Sequence, residues 1–207
     1  LSTPQDRAMV TYLGAISELE FNEIELDKLN GHNHLHLTSY FLQTKLQPDF
    51  PRLMQAAKKR GLTVSFDPNS DPSQNWGNEI FEVIKNADIL FLNELEAKQL
   101  TALVDVRATV RQLGEYCPCV VVKLGAKGAM AIAKDEIVFA ESFKVGALDT
   151  TGAGDSFAAG FVHAYLDKKD LRDCLLTGNA CGALSTLKAG GTASQADQNS
   201  LRELLNK

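Results

Sequence analysis

The stretch that constrains this chain most is a run of small residues, with two glycines before an aspartate, that leads directly into an apolar segment. It spans residues 149–161 and reads Asp-Thr-Thr-Gly-Ala-Gly-Asp-Ser-Phe-Ala-Ala-Gly-Phe. Phe157, Phe161 and Ala164 recur at helical spacing, which predicts a tight turn followed by the N-terminus of an amphipathic helix. Because free N–H groups and the helix dipole favour negative charge at such an end, the pattern predicts an anion-binding turn.

The chemistry that suits this turn is phosphoryl transfer. The backbone N–H groups of Gly152, Ala153 and Gly154 are candidates for an anion hole, since glycines let an anion approach the backbone closely. Asp155, in the first helical turn, is the candidate base that accepts a proton from an attacking hydroxyl. Considered alone, an aspartate here is more often only a helix cap, and the glycines only a turn.

The whole string resembles the C-terminal signature of the ribokinase-like, or PfkB, family of carbohydrate and nucleoside kinases. Every position of the pattern Asp-Thr-Thr-Gly-Ala-Gly-Asp-Ser-Phe is present, followed by small residues and an apolar helix. The resemblance implies ATP-dependent phosphorylation of a primary hydroxyl of a small sugar, with Mg²⁺ as cofactor and Asp155 as base. A nucleoside or vitamin kinase of the same fold, and a non-catalytic nucleotide-binding fragment, stay open as alternatives.

Alternating strand and helix signals predict an α/β fold. From about residue 33 to residue 124, buried-type strands such as 62–66 and 120–124 alternate with helical segments at the spacing of βαβ units. This implies three α/β/α layers around a mostly parallel sheet, with ligands at the carboxyl ends of the strands. Helices are also expected at 21–29 and 76–86, and a short strand at 9–13.

We find no repeat, low-complexity tract or linker, and therefore expect residues 1–207 to form a single ribokinase-like domain that is nucleotide-binding and catalytic. A dinucleotide-binding oxidoreductase has a similar layer order. No G-x-G-x-x-G follows an early strand, however, which argues against that class.

Composition excludes several other classes. The net charge of -5 argues against nucleic acid as a main partner, and no apolar run approaches the length that spans a bilayer. The four cysteines lack the spacing of a redox or zinc pair and suit a reducing cytoplasm, where we expect the protein to reside. The expected partner is a small-molecule sugar, and a homodimer stays open.

An N-x-x-E pattern follows the predicted strand at 89–92. The resemblance assigns Asn93 and Glu96 to the Mg²⁺ and phosphate region, acting largely through water, which suits the preference of Mg²⁺ for oxygen ligands that include several waters. The structural alternative is that Asn93 caps the next helix and Glu96 completes a capping box.

The segment 123–129 resembles the nucleotide-side motif of the family, usually T-L-G-x-x-G. Gly125 and Gly128 fit this motif, whereas Lys123 replaces the usual threonine and brings a cation that could meet a phosphate. The alternative is that the two glycines only form a hairpin turn. Asn179 lies in a helix of small residues that borders the adenine in the family, and it could equally be a packed core asparagine.

Family members often bind a monovalent cation such as K⁺ beside the anion hole. By position, Asp149 and Thr151 would supply oxygens, with Ser194 as a third ligand. Asp149 could equally be a turn former.

Three histidines at alternate positions, His32, His34 and His36, would share one face of a strand. Two of them could bind a metal, but packed or strand-end histidines are the favoured interpretation, since no acid or cysteine partner is fixed nearby in the sequence.

The usual family chain is longer than this one. Its N-terminal portion carries an early aspartate, a glycine-glycine-asparagine sugar-binding motif and a β lid, none of which is found here. The resemblance therefore predicts a ribokinase-like fragment without the lid, whose sheet lacks strands and exposes an apolar edge.

Overall fold

The computed structural model describes residues 11–206, and a six-stranded sheet forms the centre of this part of the chain. The strands lie side by side in chain order. The first four are parallel and the last two run antiparallel to their neighbours, so the mostly parallel sheet is confirmed. The strands are β1 His34–Thr38, β2 Thr63–Asp67, β3 Ile89–Asn93, β4 Cys119–Lys123, β5 Ala129–Ala133 and β6 Glu136–Ala140.

Helices cover both faces of the sheet, as the three-layer prediction requires. Helices α1 to α4 pack on one face and α5 and α6 on the other, while α7 packs on α6. The helices are α1 Phe50–Lys58, α2 Ile80–Ile84, α3 Glu94–Thr101, α4 Val106–Gly114, α5 Ala153–Leu166, α6 Leu171–Ser185 and α7 Gln198–Leu205.

The central strands alternate between two cores. Leu90 and Leu92 of β3 point into the core under α1 to α4, whereas Ile89 and Phe91 face α5 and α6. All four side chains are fully buried, so the strand shows a continuous apolar run rather than a polar and apolar alternation. This burial on both faces explains why strand β3 could be predicted from composition alone.

The helix predicted over residues 76–86 is much shorter, since α2 spans only Ile80–Ile84. Trp76 and Gly77 adopt left-handed φ angles of 55° and 59°. The Asp71 carboxylate accepts hydrogen bonds from the backbone N–H groups of Asn75 and Trp76, both at 2.8 Å. Left-handed φ angles cannot continue an α-helix, and these hydrogen bonds stabilise the loop, so a loop forms where helical periodicity suggested a helix.

The first part of the chain also differs from prediction. Two 3₁₀ helices, Phe21–Glu23 and Leu26–Leu29, replace the helix expected over residues 21–29. The strand expected at residues 9–13 lies mostly outside the described residues, and residues 11–13 belong to no strand.

Strand β1 forms one edge of the described sheet. We predicted that an edge of the sheet would expose apolar side chains, and β1 differs from that prediction. Leu37 is buried in the core under α1 and Leu35 packs against that core partly buried, so most of the apolar surface of the strand is covered. His34, His36 and Thr38 alternate with them and occupy the opposite face. None of the helices between residues 11 and 206 combines the length and apolar character that crossing a bilayer requires.

Candidate active site

The glycine turn forms as predicted and opens helix α5. Gly152 is the N-cap with a left-handed φ of 76°, and its carbonyl accepts the N–H of Ser156 at 2.9 Å. A Cβ at Gly152 would lie 2.9 Å from the carbonyl oxygen of Gly191, so this turn is pressed against a second loop. Asp155 is exposed in the first helical turn, where the dipole favours its negative charge.

Asp149 ties the two loops together. One oxygen of its carboxylate accepts the N–H of Thr151 at 2.9 Å, and the other accepts the N–H of Gly190 at 2.8 Å. Ser194 donates its hydroxyl to the Leu184 carbonyl at 2.9 Å. Asp149 therefore acts as a turn former in the structure, and the cation site of Asp149, Thr151 and Ser194 stays a prediction.

A cavity of about 400 Å³ lies beside the turn. This volume falls in the range of small-molecule sites, and the walls are mainly apolar. The four residues predicted to contact the nucleotide, separated by up to 56 positions in the sequence, all line it together with Gly154: Lys123, Gly125, Gly128 and Asn179.

The two glycines of the 123–129 segment are required by the backbone. Gly125 and Gly128 have φ angles of 60° and 112°, and a Cβ on Gly128 would overlap the carbonyl oxygen of Ala140. They connect the antiparallel strands β4 and β5, as the hairpin interpretation predicts, and the connection forms one wall of the cavity.

Asn179 is buried, with 4% of its surface exposed. Its amide group donates to the carbonyl oxygens of Ala140 and Glu141, at 3.0 and 3.1 Å. This is the geometry of a satisfied core asparagine that fixes the end of β6 at the cavity.

The structure also reveals a contact that the sequence reasoning missed. Lys123 forms an ion pair with Asp67 at the end of β2, with Nζ 2.6 Å from Oδ2, and both side chains are largely buried. The Lys123 ammonium lies 3.4 Å from the position that a Cβ on Gly154 would take. The only sequence signal was Asp67 at the carboxyl end of a predicted strand, which indicates a ligand edge but names no partner.

Asn93 and Glu96 form a capping box at the start of α3. The Asn93 side chain accepts the N–H of Glu96 at 2.9 Å, and the Glu96 carboxylate accepts the N–H of Asn93 at 2.8 Å. Glu96 is 4% exposed and also accepts a hydrogen bond from Ser70. Burial raises its pKa, and the N–H of Asn93 opposes that effect; the Asp67 charge raises the pKa further, while Lys123 and Ser70 lower it.

Substituting Glu96 should reveal the cost of this buried charge. The raised pKa means that Glu96 favours folding at low pH, and that this contribution is lost as the pH rises above the ordinary value of 4.5. Glu96→Gln keeps the shape without the charge, so we expect it to raise the free energy of unfolding at neutral pH, by on the order of 1 kcal/mol. The gain should shrink from about pH 8 to about pH 5 in urea unfolding experiments.

Glu94→Gln, on the same helix, is the matched control. Hydrogen bonding to Lys98 lowers the pKa of Glu94, so this variant should give no gain at neutral pH. A Glu96→Gln variant less stable than the parent at both pH values would contradict the prediction.

The histidines of β1 are hydrogen-bonded to hydroxyl groups. His34 contacts Thr63 Oγ1 and Ser65 Oγ, and His36 contacts Ser65 Oγ, all at 2.7 Å. Between residues 11 and 206, no group of three or more histidine, cysteine, aspartate or glutamate side chains is placed to hold a metal ion. The favoured interpretation, packed strand histidines, agrees with this geometry.

Burial lowers the pKa of His34 from 6.5 to about 4, the neighbouring His36 lowers it further, and Asp88 opposes both. A depressed histidine pKa stabilises the fold above pH 6.5 and loses this contribution as the pH falls toward 4. The shift corresponds to at most about 3 kcal/mol, reduced by partial exposure.

In acid titrations of unfolding, we expect His34→Gln to show a shallower loss of stability than the parent, while His163→Gln, at an exposed helical site, should match the parent. An undiminished loss in His34→Gln would refute this.

A second cavity, of about 340 Å³, lies beside Asp155. His36 and Thr38 of β1 line it, together with Asp155 and the small face of α5. Asp155 lines this second cavity and its neighbour Gly154 lines the first, so the start of α5 borders both.

Comparison with known proteins places this site in a family. The sequence model of the pfkB family carbohydrate kinases matches residues 1–198. A ribokinase from Haemophilus influenzae is 34% identical over 157 residues, which are 73% of this chain and 50% of that protein. The structure of a ribokinase from Thermotoga maritima matches with a TM-score of 0.79 and 28% identity, over 96% of this chain and 65% of that one.

A fructokinase from Vibrio cholerae, in a structure with fructose, ADP and a calcium ion, matches with a TM-score of 0.75 and 27% identity. That match covers 88% of this chain and 64% of the fructokinase. The chain thus spans half the length of the Haemophilus relative and less than two thirds of both solved chains. Because the family model covers nearly the whole sequence and the fold agrees, this chain belongs to the pfkB family of carbohydrate kinases.

Proposed function

We propose that this chain carries the nucleotide site and the phosphoryl-transfer site of an ATP-dependent kinase that acts on a primary hydroxyl of a small sugar. The observation that carries the proposal is the position of Asp155. It lines the second cavity from the first turn of α5, directly after Gly154, which lines the first cavity. Such a carboxylate can take a proton from a hydroxyl on one side while phosphate is bound on the other.

The nucleotide would occupy the larger cavity, with its phosphates at the N–H groups of residues 152–155. The N–H of Ala153 donates to the Thr150 carbonyl at 3.2 Å, so the N–H groups of Gly154 and Asp155 at the helix N-terminus would do most to stabilise negative charge that develops on the transferring group. The sugar would bind in the cavity with His36 and Thr38, where its hydroxyl meets Asp155. Holding both reactants in place contributes to the rate by removing the entropy cost of their encounter.

The donor set also fits the ions that the family resemblance implies. Glu96 and Asn93 exchange the hydrogen bonds of the capping box, and their oxygen atoms would meet Mg²⁺ through the waters bound to that ion, which neutralises phosphate charge when bound. Asp149 and Thr151 are held together in the loop beside the anion hole, as a K⁺ site there would need.

The choice of a sugar as substrate is supported by the matched relatives, a ribokinase and a fructokinase bound to fructose and ADP.

The proposed function is tested by a coupled assay for ADP release with a panel of pentoses, hexoses and nucleosides, on this chain and on the complete gene product. Sugar-dependent ADP release supports the proposal, and release with nucleosides alone would favour the nucleoside kinase alternative. If the complete gene product phosphorylates none of them, the proposed function is wrong.

A further inference from the structure

The ion pair between Lys123 and Asp67 joins the ends of β4 and β2 beside the glycine turn. The Lys123 side chain is 15% exposed and the Asp67 side chain 3% exposed. Removing two charges from water carries a desolvation cost that their attraction often only balances, so a buried pair is weak evidence for stability. Its location at the ligand edge of the sheet points instead to a role in binding.

Lys123 lies within reach of any anion bound at the turn. Its ammonium is 3.4 Å from the position of a Cβ on Gly154, the second residue of α5. The N–H groups of Gly154 and Asp155, in the first turn of α5, lie at this same end of the helix. Lys123 also lines the larger cavity, so one ammonium borders both the nucleotide space and the turn.

Carboxylates lie around this point, so a fixed cation would favour phosphate binding. Asp67 and Glu96 end or follow neighbouring strands, and Asp155 is exposed on α5. The Lys123 ammonium acts electrostatically on both Glu96 and His36, which shows that it belongs to the same charged cluster. The ammonium would offset the repulsion that neighbouring carboxylates exert on a bound phosphate.

We propose that Lys123 binds the terminal phosphate of ATP at Gly154, and that Asp67 is the positioning residue that holds the ammonium there. The inference rests on the proposed function in requiring the nucleotide to occupy the cavity. Asp67 also accepts the N–H of Asn69 at 3.3 Å, which anchors the carboxylate in its own loop. The lysine is therefore fixed before the nucleotide arrives, and little side-chain ordering is needed on binding.

The first test compares the binding of ATP and AMP to the 207-residue chain by isothermal titration calorimetry in the presence of Mg²⁺. Lys123→Thr restores the residue usual in the family motif. We expect it to weaken ATP binding by about 10-fold or more and AMP binding by less than about 2-fold, since AMP lacks the terminal phosphate. Lys127→Thr, an exposed lysine in the same connection, is the matched control and should leave both affinities unchanged.

The second test addresses Asp67. Asp67→Asn leaves a buried ammonium without its partner, so the flexible side chain should turn toward solvent, and the preference for ATP over AMP should fall by at least about threefold. In the Lys123→Thr background the same change should alter the preference by less than about twofold, because there is no ammonium left to position. The double variant also removes both charges, so it serves as a control for misfolding caused by an unpaired buried charge.

The outcomes separate this inference from the proposed function. Equal weakening of ATP and AMP by Lys123→Thr, or no effect on either, overturns the phosphate contact while the nucleotide site stands. Tighter ATP binding in Asp67→Asn shows that Asp67 competes for the ammonium and overturns its positioning role. If the parent chain binds neither nucleotide, the nucleotide site of the proposed function fails and the inference falls with it.

Discussion

In the complete gene product, Asp155→Asn is expected to lower kcat for sugar phosphorylation by about 10²- to 10⁴-fold, the usual contribution of a positioned base. Asparagine keeps the size of the side chain but cannot accept the proton of the attacking hydroxyl. KM for ATP should change by less than about threefold, because the N–H groups of the turn are unaltered. Steady-state measurement of ADP release, with sugar and ATP varied separately, checks both parts.

Asp173→Asn provides a matched control for the charge at a helix N-terminus. Asp173 is exposed at the third position of α6, just as Asp155 is at the third position of α5. Both variants lose the same interaction with a helix dipole, so any loss of activity common to the two is structural. If Asp155→Asn lowers kcat no more than Asp173→Asn does, Asp155 is a helix cap and not the base.

Local features of this fold could be predicted from the sequence because neighbouring residues determine them. The capping box of Asn93 and Glu96 joins positions three apart, and the apolar run of β3 marks a strand buried on both faces. The helix over 76–86 was predicted wrongly for a related reason. The apolar periodicity is present, but Trp76 and Gly77 take left-handed φ angles, and Asp71, outside that window, holds the loop by accepting the N–H groups of Asn75 and Trp76.

The contacts that assemble the site could not be predicted, because they depend on the register of strands far apart in sequence. Lys123 and Asp67 are 56 positions apart and meet only because β2, β3 and β4 are parallel and end at one edge. Asp149 reaches Gly190 across 41 positions. A carboxylate after a strand predicts a ligand edge, but its partner follows only from the order of the strands.

Gly152→Ala is expected to destabilise the turn through two separate effects. A left-handed φ costs an alanine about 1–2 kcal/mol, and a Cβ placed 2.9 Å from the Gly191 carbonyl oxygen adds an overpacking cost of about 1–3 kcal/mol. For a chain of this length, the sum should lower Tm by roughly 5–15 °C. Displacing the 152–155 N–H groups should also weaken ATP binding by about 10-fold or more. Thermal unfolding and calorimetry with ATP measure the two effects.

Gly190→Ala separates the strain from the clash. Gly190 has a similar φ of 85°, in the loop that faces Gly152, and a Cβ there meets nothing within 4 Å. This variant should therefore incur only the conformational cost, with Tm lowered by roughly 2–6 °C and ATP binding nearly unchanged. Equal effects of the two variants would mean that backbone strain alone accounts for the loss, and that contact between the loops does not hold the anion hole in shape. A larger loss confined to Gly152→Ala would show that the phosphate site depends on the distant 190–191 loop, which the motif at 149–161 does not itself contain.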